Sequence, residues 1–332
     1  MRWYGGGMPA GPAVDPVLSE AAASVVVHAL GWRPARVVGL TGGFSSAVLR
    51  ADPADGRLAV VVRFPGVGAA AVSREALLAE RLAGTVPVPE VLFADPNGDA
   101  TGRPCLITAW ADGRAAGEVL AADGAGDGFE LGRALGETLG AVGRMRFSRG
   151  GLLDDRLEPS GDPWFVDTAA ETVGFMRVWL EPGGDVRPVL GADAADTWLA
   201  RIGEAAPALA AVDGAHSLVH SDYNPKNVMV RRAQGGWQVT AVLDWEFAFA
   251  GSPLADVGNL LRFASGYPPR FEMGVAEGLR ASGAELPPNW RAIALLLDCV
   301  AQADLMARRG PDDALASQVR KLVLRRLADG GY

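Results

Sequence analysis

The stretch LVHSDYNPKNVMV, residues 218–230, sets His220, Asp222, Lys226 and Asn227 between two short apolar runs. Asn227 follows Asp222 by five residues, and a further acid, Asp244, closes the apolar run WQVTAVLDW. The segments NVMVRR and WQVTAVLDW, joined by the turn-forming AQGG, read as a β-hairpin. Antiparallel pairing brings the loop before the first strand toward the end of the second, so Asp222, Asn227 and Asp244 can converge. Convergent hard oxygen donors suit Mg²⁺, which favours a few carboxylates together with substrate phosphates. A carboxylate held at an acceptor hydroxyl can take its proton, so the chemistry this spacing serves is phosphoryl transfer.

The motifs themselves are more specific. HSDYNPKN resembles the H-G-D-x-x-x-x-N loop of the aminoglycoside phosphotransferase and choline kinase-like family, and LDWEFAFAGSPLADVGNLLR is similar to that family's metal-binding segment and following helix. Ser221 stands where the family has Gly, a small-for-small exchange. The resemblance implies that Asp222 is the catalytic base or the acid that orients the acceptor hydroxyl, that Asn227 and Asp244 hold Mg²⁺, that Asp256 buttresses the loop and that His220 holds its backbone. Lys226 is either a contact to the transferring phosphate or a solvated loop lysine, and Glu246 either assists the metal or faces solvent.

A kinase also needs a phosphate-covering loop, a cation on the third strand and a helix acid to orient it. LTGGFSSAVLR offers the loop, with backbone N–H groups from Phe44 through Ser45 and Ser46 available to phosphate oxygens, although it matches neither G-x-G-x-x-G nor a Walker motif. The third strand, LAVVVRFPG, presents Arg63 where kinases place lysine, and no lysine precedes Lys226. Arginine keeps its charge and binds phosphate through a planar fork. Glu75 stands at the family's distance before PVP and is preferred to Glu80 as the partner of Arg63. CLITAWADG resembles the interlobe hinge, with Ala109 and Ala111 at the positions whose backbone binds adenine.

These residues require elements to place them. DPVLSEAAASVVVHALG carries an N-cap at Asp15, Pro16 at the first helical position and a stop at Gly31. ARVVGL, SAVLRA, LAVVVRF, VPEVLFAD and RPCLITAW read as five strands, with VSREALLAERLAG as a helix inserted among them. Helical spacing then covers roughly 127–147, 163–181, 193–211, 254–264 and two or more helices from 270 onward. The expected architecture is α+β, a bilobal protein kinase-like fold. Residues 1–14 form a disordered start, 15–111 the nucleotide-binding lobe and 112–332 the helical catalytic and substrate-binding lobe, with the nucleotide between the lobes.

Composition sets the outer limits. With 332 residues and 49% hydrophobic content the chain can fill a sizeable core, and a net charge of -8 argues against a nucleic-acid partner. Cys105 and Cys299 form no metal or disulfide pattern, and no apolar run has the length of a signal or membrane segment. The chain is therefore expected in the cytoplasm, away from membranes, as a monomer or homodimer. His216 and His220 share a helical spacing but sit beside Gly214 and β-like SLV, which argues against a zinc pair, and GFSSA is not the G-x-S-x-G of a serine hydrolase.

The expected function is transfer of a phosphate from ATP, GTP not being excluded, with Mg²⁺, to a hydroxyl of a small molecule. Family resemblance favours an antibiotic: an aminoglycoside, a macrolide or a nucleoside antibiotic. The alternatives are a kinase of choline, a sugar or an amino-acid derivative, and a non-catalytic binding module. DPWFVDTAAET with Trp164, Phe165, Phe175 and Trp179 is either an acceptor pocket or core packing, while the basic RKLVLRR near the end suits a polycation poorly.

Overall fold

The computed structural model describes residues 15–40, 46–66, 68–122, 125–160 and 169–330. In chain order the helices are α1 (Pro16–Leu30), α2 (Ala69–Leu82), α3 (Ala116–Ala121), α4 (Phe129–Val142), α5 (Ala169–Leu180), α6 (Val186–Leu190), α7 (Ala192–Ala205), α8 (Leu254–Leu261), α9 (Phe271–Ala281), α10 (Trp290–Arg309) and α11 (Ala314–Ala328). The strands are β1 (Arg36–Gly39), β2 (Ser46–Asp52), β3 (Val60–Pro65), β4 (Val91–Asp95), β5 (Cys105–Ala109), β6 (Arg114–Ala115), β7 (Gly151–Leu152), β8 (Ser217–Val219), β9 (Val228–Ala233), β10 (Gly236–Val242) and β11 (Phe249–Gly251). Two compact units result. The first takes residues up to 125, 153–158 and 225–246, and the second takes 126–152, 159–224 and 247 onward.

In the first unit, β1 to β5 form one antiparallel sheet in the order β1-β2-β3-β5-β4. Helix α1 begins where the Asp15 carboxylate accepts from the Val17 N–H at 2.9 Å, and it stops at Gly31, whose φ of 73° a side chain would resist. Strand alternation then assigns two jobs to one sheet. Val60, Val62 and Phe64 of β3, with Leu49, Ala51, Cys105 and Ile107, pack with Ala22, Val25 and Val26 of α1 into a core. The intervening positions, Ser46, Val48, Val61, Arg63, Leu106 and Thr108, line a cavity on the other face.

The hairpin β9–β10 belongs to this same unit, with a register shift between Val239 and Ala241, and β6 adds a third strand beside β9. Its pairing continues past the strand ends: the Leu243 N–H donates to the Asn227 carbonyl at 2.8 Å. That bond sets Asn227 opposite the residue before Asp244, which is the part of the expected convergence that lies within this unit.

The second unit is mostly helical, with a three-stranded sheet in the order β7-β11-β8. Helices α4 and α9 approach closely because glycines line their contact: a Cβ built on Gly132 or Gly136 would fall about 2 Å from the carbonyl oxygens of Phe271 or Val275, and Gly274 and Gly278 meet α4 in the same way. On α5, Phe175 and Trp179 stack edge to face, 4.2 Å between ring centroids. Residues 163–168 of the expected helix over 163–181, Trp164 and Phe165 among them, lie outside the described residues. The helix expected over 193–211 ends at Ala205 and tightens into a 3-10 turn at Ala206–Val212, where Pro207 enters. No helix among the described residues is long and apolar enough to cross a membrane.

Candidate active site

Arg63 is the electrostatic centre of the first unit's cavity. Strand alternation turns it away from the α1 core, and its Nη1 donates to both oxygens of Glu75, at 2.7 and 2.8 Å. Its Nη2 donates to Asp244 Oδ1 at 2.7 Å and to Glu246 Oε2 at 2.9 Å. Glu75 rises from the inner face of α2, one turn from the buried Ala71 and Leu78, whereas Glu80 is exposed. The spacing on the helix therefore selects the partner.

Three carboxylates share one guanidinium in a dry setting. Burial acts to lower the Arg63 group, but Glu75, Asp244 and Glu246 outweigh it and hold it above its ordinary value. Burial, reinforced by the charges of Asp244 and Glu246, pushes the Glu75 carboxyl up to about 7 against the pull of Arg63. Of the two sequence readings of Glu246, the solvent-facing one does not hold. Its side chain is only 3% exposed and pairs with Arg63, so it does not face solvent. Ser46 donates its hydroxyl to the same Glu246 oxygen at 3.4 Å, and Arg74 donates to the Glu246 carbonyl at 2.6 Å.

The same cavity runs from this charged end to an apolar one. Leu40, Val48, Val61, Val88, Val91 and Met229 lie along it, and the segment Thr108–Ala111 forms one wall. The Ala109 N–H is spent on the Glu90 carbonyl at 2.8 Å, while the Ala111 N–H donates to no other backbone group among the described residues. Exposed Lys226 lines the cavity, and buried Asn227 lines it beside Asp244. Ser45 and the rest of the glycine-serine loop lie outside the described residues.

Asn227 and Asp244 fit a hard divalent cation. Both supply oxygen donors, and Asp244 Oδ2 makes no hydrogen bond among the described residues. Asp244 is also held at φ 69°, a backbone setting that Asp tolerates better than most residues and that redirects its side chain after β10.

In the second unit the loop after β8 is fixed from beneath. Asp256, fully buried at the start of α8, accepts the N–H groups of His220 at 2.7 Å and Ser221 at 2.8 Å. The Asp222 N–H donates to His220 Nδ1 at 3.2 Å, and the buried Tyr223 hydroxyl donates to the Leu135 carbonyl. Burial pushes the Asp256 carboxyl up to about 7, opposed by those two N–H groups and aided by the charge of Asp222. Ser221 has φ 73°, so the position calls for the glycine it lacks.

Two neighbours of Asp222 escaped the sequence reading. Asn224 donates its side-chain amide to Asp222 Oδ1 at 2.5 Å, a local bond that the spacing of two residues allows. Arg262, buried and clamped by Asp298 through Nε and Nη2, is held above its ordinary value by Asp298 and in smaller part by Asp222, although burial opposes this.

The profile of the phosphotransferase enzyme family, APH, matches residues 36–296. The chain belongs to that family. It is accordingly a phosphotransferase with a hydroxyl acceptor, built on the kinase-like α+β fold. Among solved structures it is similar to a thermostable mutant of aminoglycoside phosphotransferase APH(4)-Ia in complex with ADP and hygromycin B, at 17% identity and a TM-score of 0.66, covering 94% of this chain and 99% of that one. It is similar also to the GDP and kanamycin complex of APH(2")-IIia, at 17% identity and a TM-score of 0.68, over 93% of this chain and 99% of that one. The GDP complex of aminoglycoside 2'-phosphotransferase-IIIa aligns at 17% identity and a TM-score of 0.68, over 95% and 100% of the two chains. No curated protein matches the sequence at a significant level.

Proposed function

We propose that this phosphotransferase transfers the γ-phosphate of ATP, with Mg²⁺, to a hydroxyl of an antibiotic. The observation that carries the donor half is the single cavity holding Arg63, Glu75, Asn227 and Asp244 at one end and the Thr108–Ala111 segment at the other. A purine suits the apolar end, with the Ala111 N–H and Ala109 carbonyl as its polar contacts. Phosphates suit the charged end, where Arg63 offers a fork and Ser46 and Lys226 further donors. GTP fits the same description, and solved relatives of this fold hold ADP or GDP.

Asn227 and Asp244 would hold Mg²⁺, which when bound neutralises phosphate charge and draws electrons from the transferring group. The protein's own part is positioning. Arg63 steadies the phosphates, Glu75 steadies Arg63, and Asp222 receives the proton of the acceptor hydroxyl. Asn224 and His220 keep Asp222 and its backbone in one arrangement.

The acceptor reading rests on the solved relatives, two of which hold hygromycin B or kanamycin. A less cationic antibiotic, such as a macrolide or a nucleoside antibiotic, stands beside an aminoglycoside. Two arginines of the basic α11 are spent within the second unit, Arg320 on the Val189 carbonyl and Arg326 on that of Arg262, so part of that charge is structural. A panel assay of ATP consumption with Mg²⁺ against these antibiotics, choline and sugars tests the reading. Turnover with an antibiotic is expected. Turnover with choline or a sugar alone would make the enzyme a metabolite kinase, and nucleotide binding without any turnover would make it a binding module.

A further inference from the structure

Arg63 has two working ends with different partners. Nη1 is held by both oxygens of Glu75, and Nη2 by Asp244 Oδ1 and Glu246 Oε2, at 2.7 to 2.9 Å throughout. All four residues belong to the first unit. The Arg63, Glu75 and Glu246 side chains are only 11%, 15% and 3% exposed and that of Asp244 is 28% exposed, so water screens the Glu246 and Glu75 pairs weakly and the Asp244 pair more. One oxygen of the candidate metal ligand Asp244 is thus already occupied by a cation. A divalent ion arriving alone meets that guanidinium at its site, like charge against like.

Phosphate oxygens change this balance. They are the acceptors a guanidinium fork suits best, and they bring negative charge of their own. Glu75 can keep Nη1 throughout, so only the Nη2 end needs to change partners. Nη1 alone holds both oxygens of Glu75, and a second nitrogen, Nη2, stands separately on Asp244 and Glu246; a lysine, with a single nitrogen, could not occupy both positions at once. The replacement of lysine by arginine on β3 therefore has a specific consequence.

We propose that Arg63 gates the metal site: without nucleotide its Nη2 end occupies Asp244 and Glu246, and nucleotide phosphates draw that end away, so the divalent ion enters with the nucleotide and not ahead of it. This rests on reading the cavity as a nucleotide site.

The test is binding of Mn²⁺ to the full chain without nucleotide, read from the paramagnetic resonance of free Mn²⁺. Wild type is expected to bind it weakly. Arg63→Met is expected to bind at least tenfold more tightly, and Arg63→Lys, which keeps a positive charge and the fold's ion pair to Glu75, to gain in the same direction. Circular dichroism checks both variants, and should Arg63→Met fail to fold, Arg63→Lys decides. Mn²⁺ affinity equal to wild type in the folded variants would overturn the gate, as would tight binding by wild type alone. A separate titration of wild type with a fluorescent ATP analogue, without metal, tests the nucleotide reading. Its failure would remove that reading while leaving the Mn²⁺ comparison to stand or fall on its own.

Discussion

Ser221 and Asp244 are two of the three non-glycine residues with left-handed backbone among the described residues, one beside Asp222 and the other in the cavity of Arg63. For Ser221 the bond that matters is its N–H to Asp256, which needs only the backbone. Ser221→Gly should therefore stabilise the protein by about 0.5 to 1 kcal/mol, the left-handed penalty less the entropy of glycine, as read by denaturant midpoint. Asp256 gives a pH signature. Its native carboxyl titrates near 7, against about 4 in an unfolded chain, so folding takes up a proton between those values. A raised acid contributes stability that is fully present below about pH 4 and lost as pH rises through 7. Asp256→Asn, which cannot accept both N–H groups, should be less stable than wild type, and the gap in Tm should narrow from pH 5 to pH 8. A gap that widened over that range would reverse the sign. At this scale the placement of Asn227 beside Asp244 was legible, because it follows from the pairing of the hairpin. Glu246 and Asn224 were not, because nothing in the sequence says that a carboxylate two residues beyond Asp244 turns inward onto Arg63, or that an amide folds back on Asp222.

Elements show why one apolar strand carries a charge. On β3, alternation gives Val60, Val62 and Phe64 to the α1 core and Val61 and Arg63 to the cavity, so the arginine interrupts no buried face. The five-stranded sheet and its inserted helix could be read from that period and from the turn residues between runs. The two-residue strands β6 and β7 could not, because a pair of residues carries no period and their pairing is set by distant partners. The glycine contact of α4 and α9 was also silent, since hydrophobic spacing marks which face is buried but not how close the backbones come. Gly136→Ala measures that closeness. Its Cβ would lie 2.2 Å from the Val275 carbonyl oxygen, so the variant should lose roughly 1 to 3 kcal/mol although alanine is the better helix former. A neutral or stabilising result by thermal unfolding would mean that the helices separate freely.

For the whole molecule the chain path matters, because the first unit gathers the sheet, residues 153–158 and the hairpin of 225–246 from distant stretches. The chain from Asp222 to Asn227 crosses from the second unit to the first within five residues. Ligand binding to the folded state alone must raise stability, by about 2.7 kcal/mol at 100 times the dissociation constant, or roughly 4 °C for a chain of this length. ATP with Mg²⁺ should produce that shift in wild type, and Arg63→Ala should abolish most of it. The decisive measurement follows transfer of the ATP γ-phosphate to an antibiotic hydroxyl, with phosphorus resonance identifying the product, in wild type and in Asp222→Ala. A phosphorylated antibiotic is expected from wild type, and a rate lower by roughly 10²- to 10⁴-fold in the variant. Wild-type turnover by Asp222→Ala would contradict it.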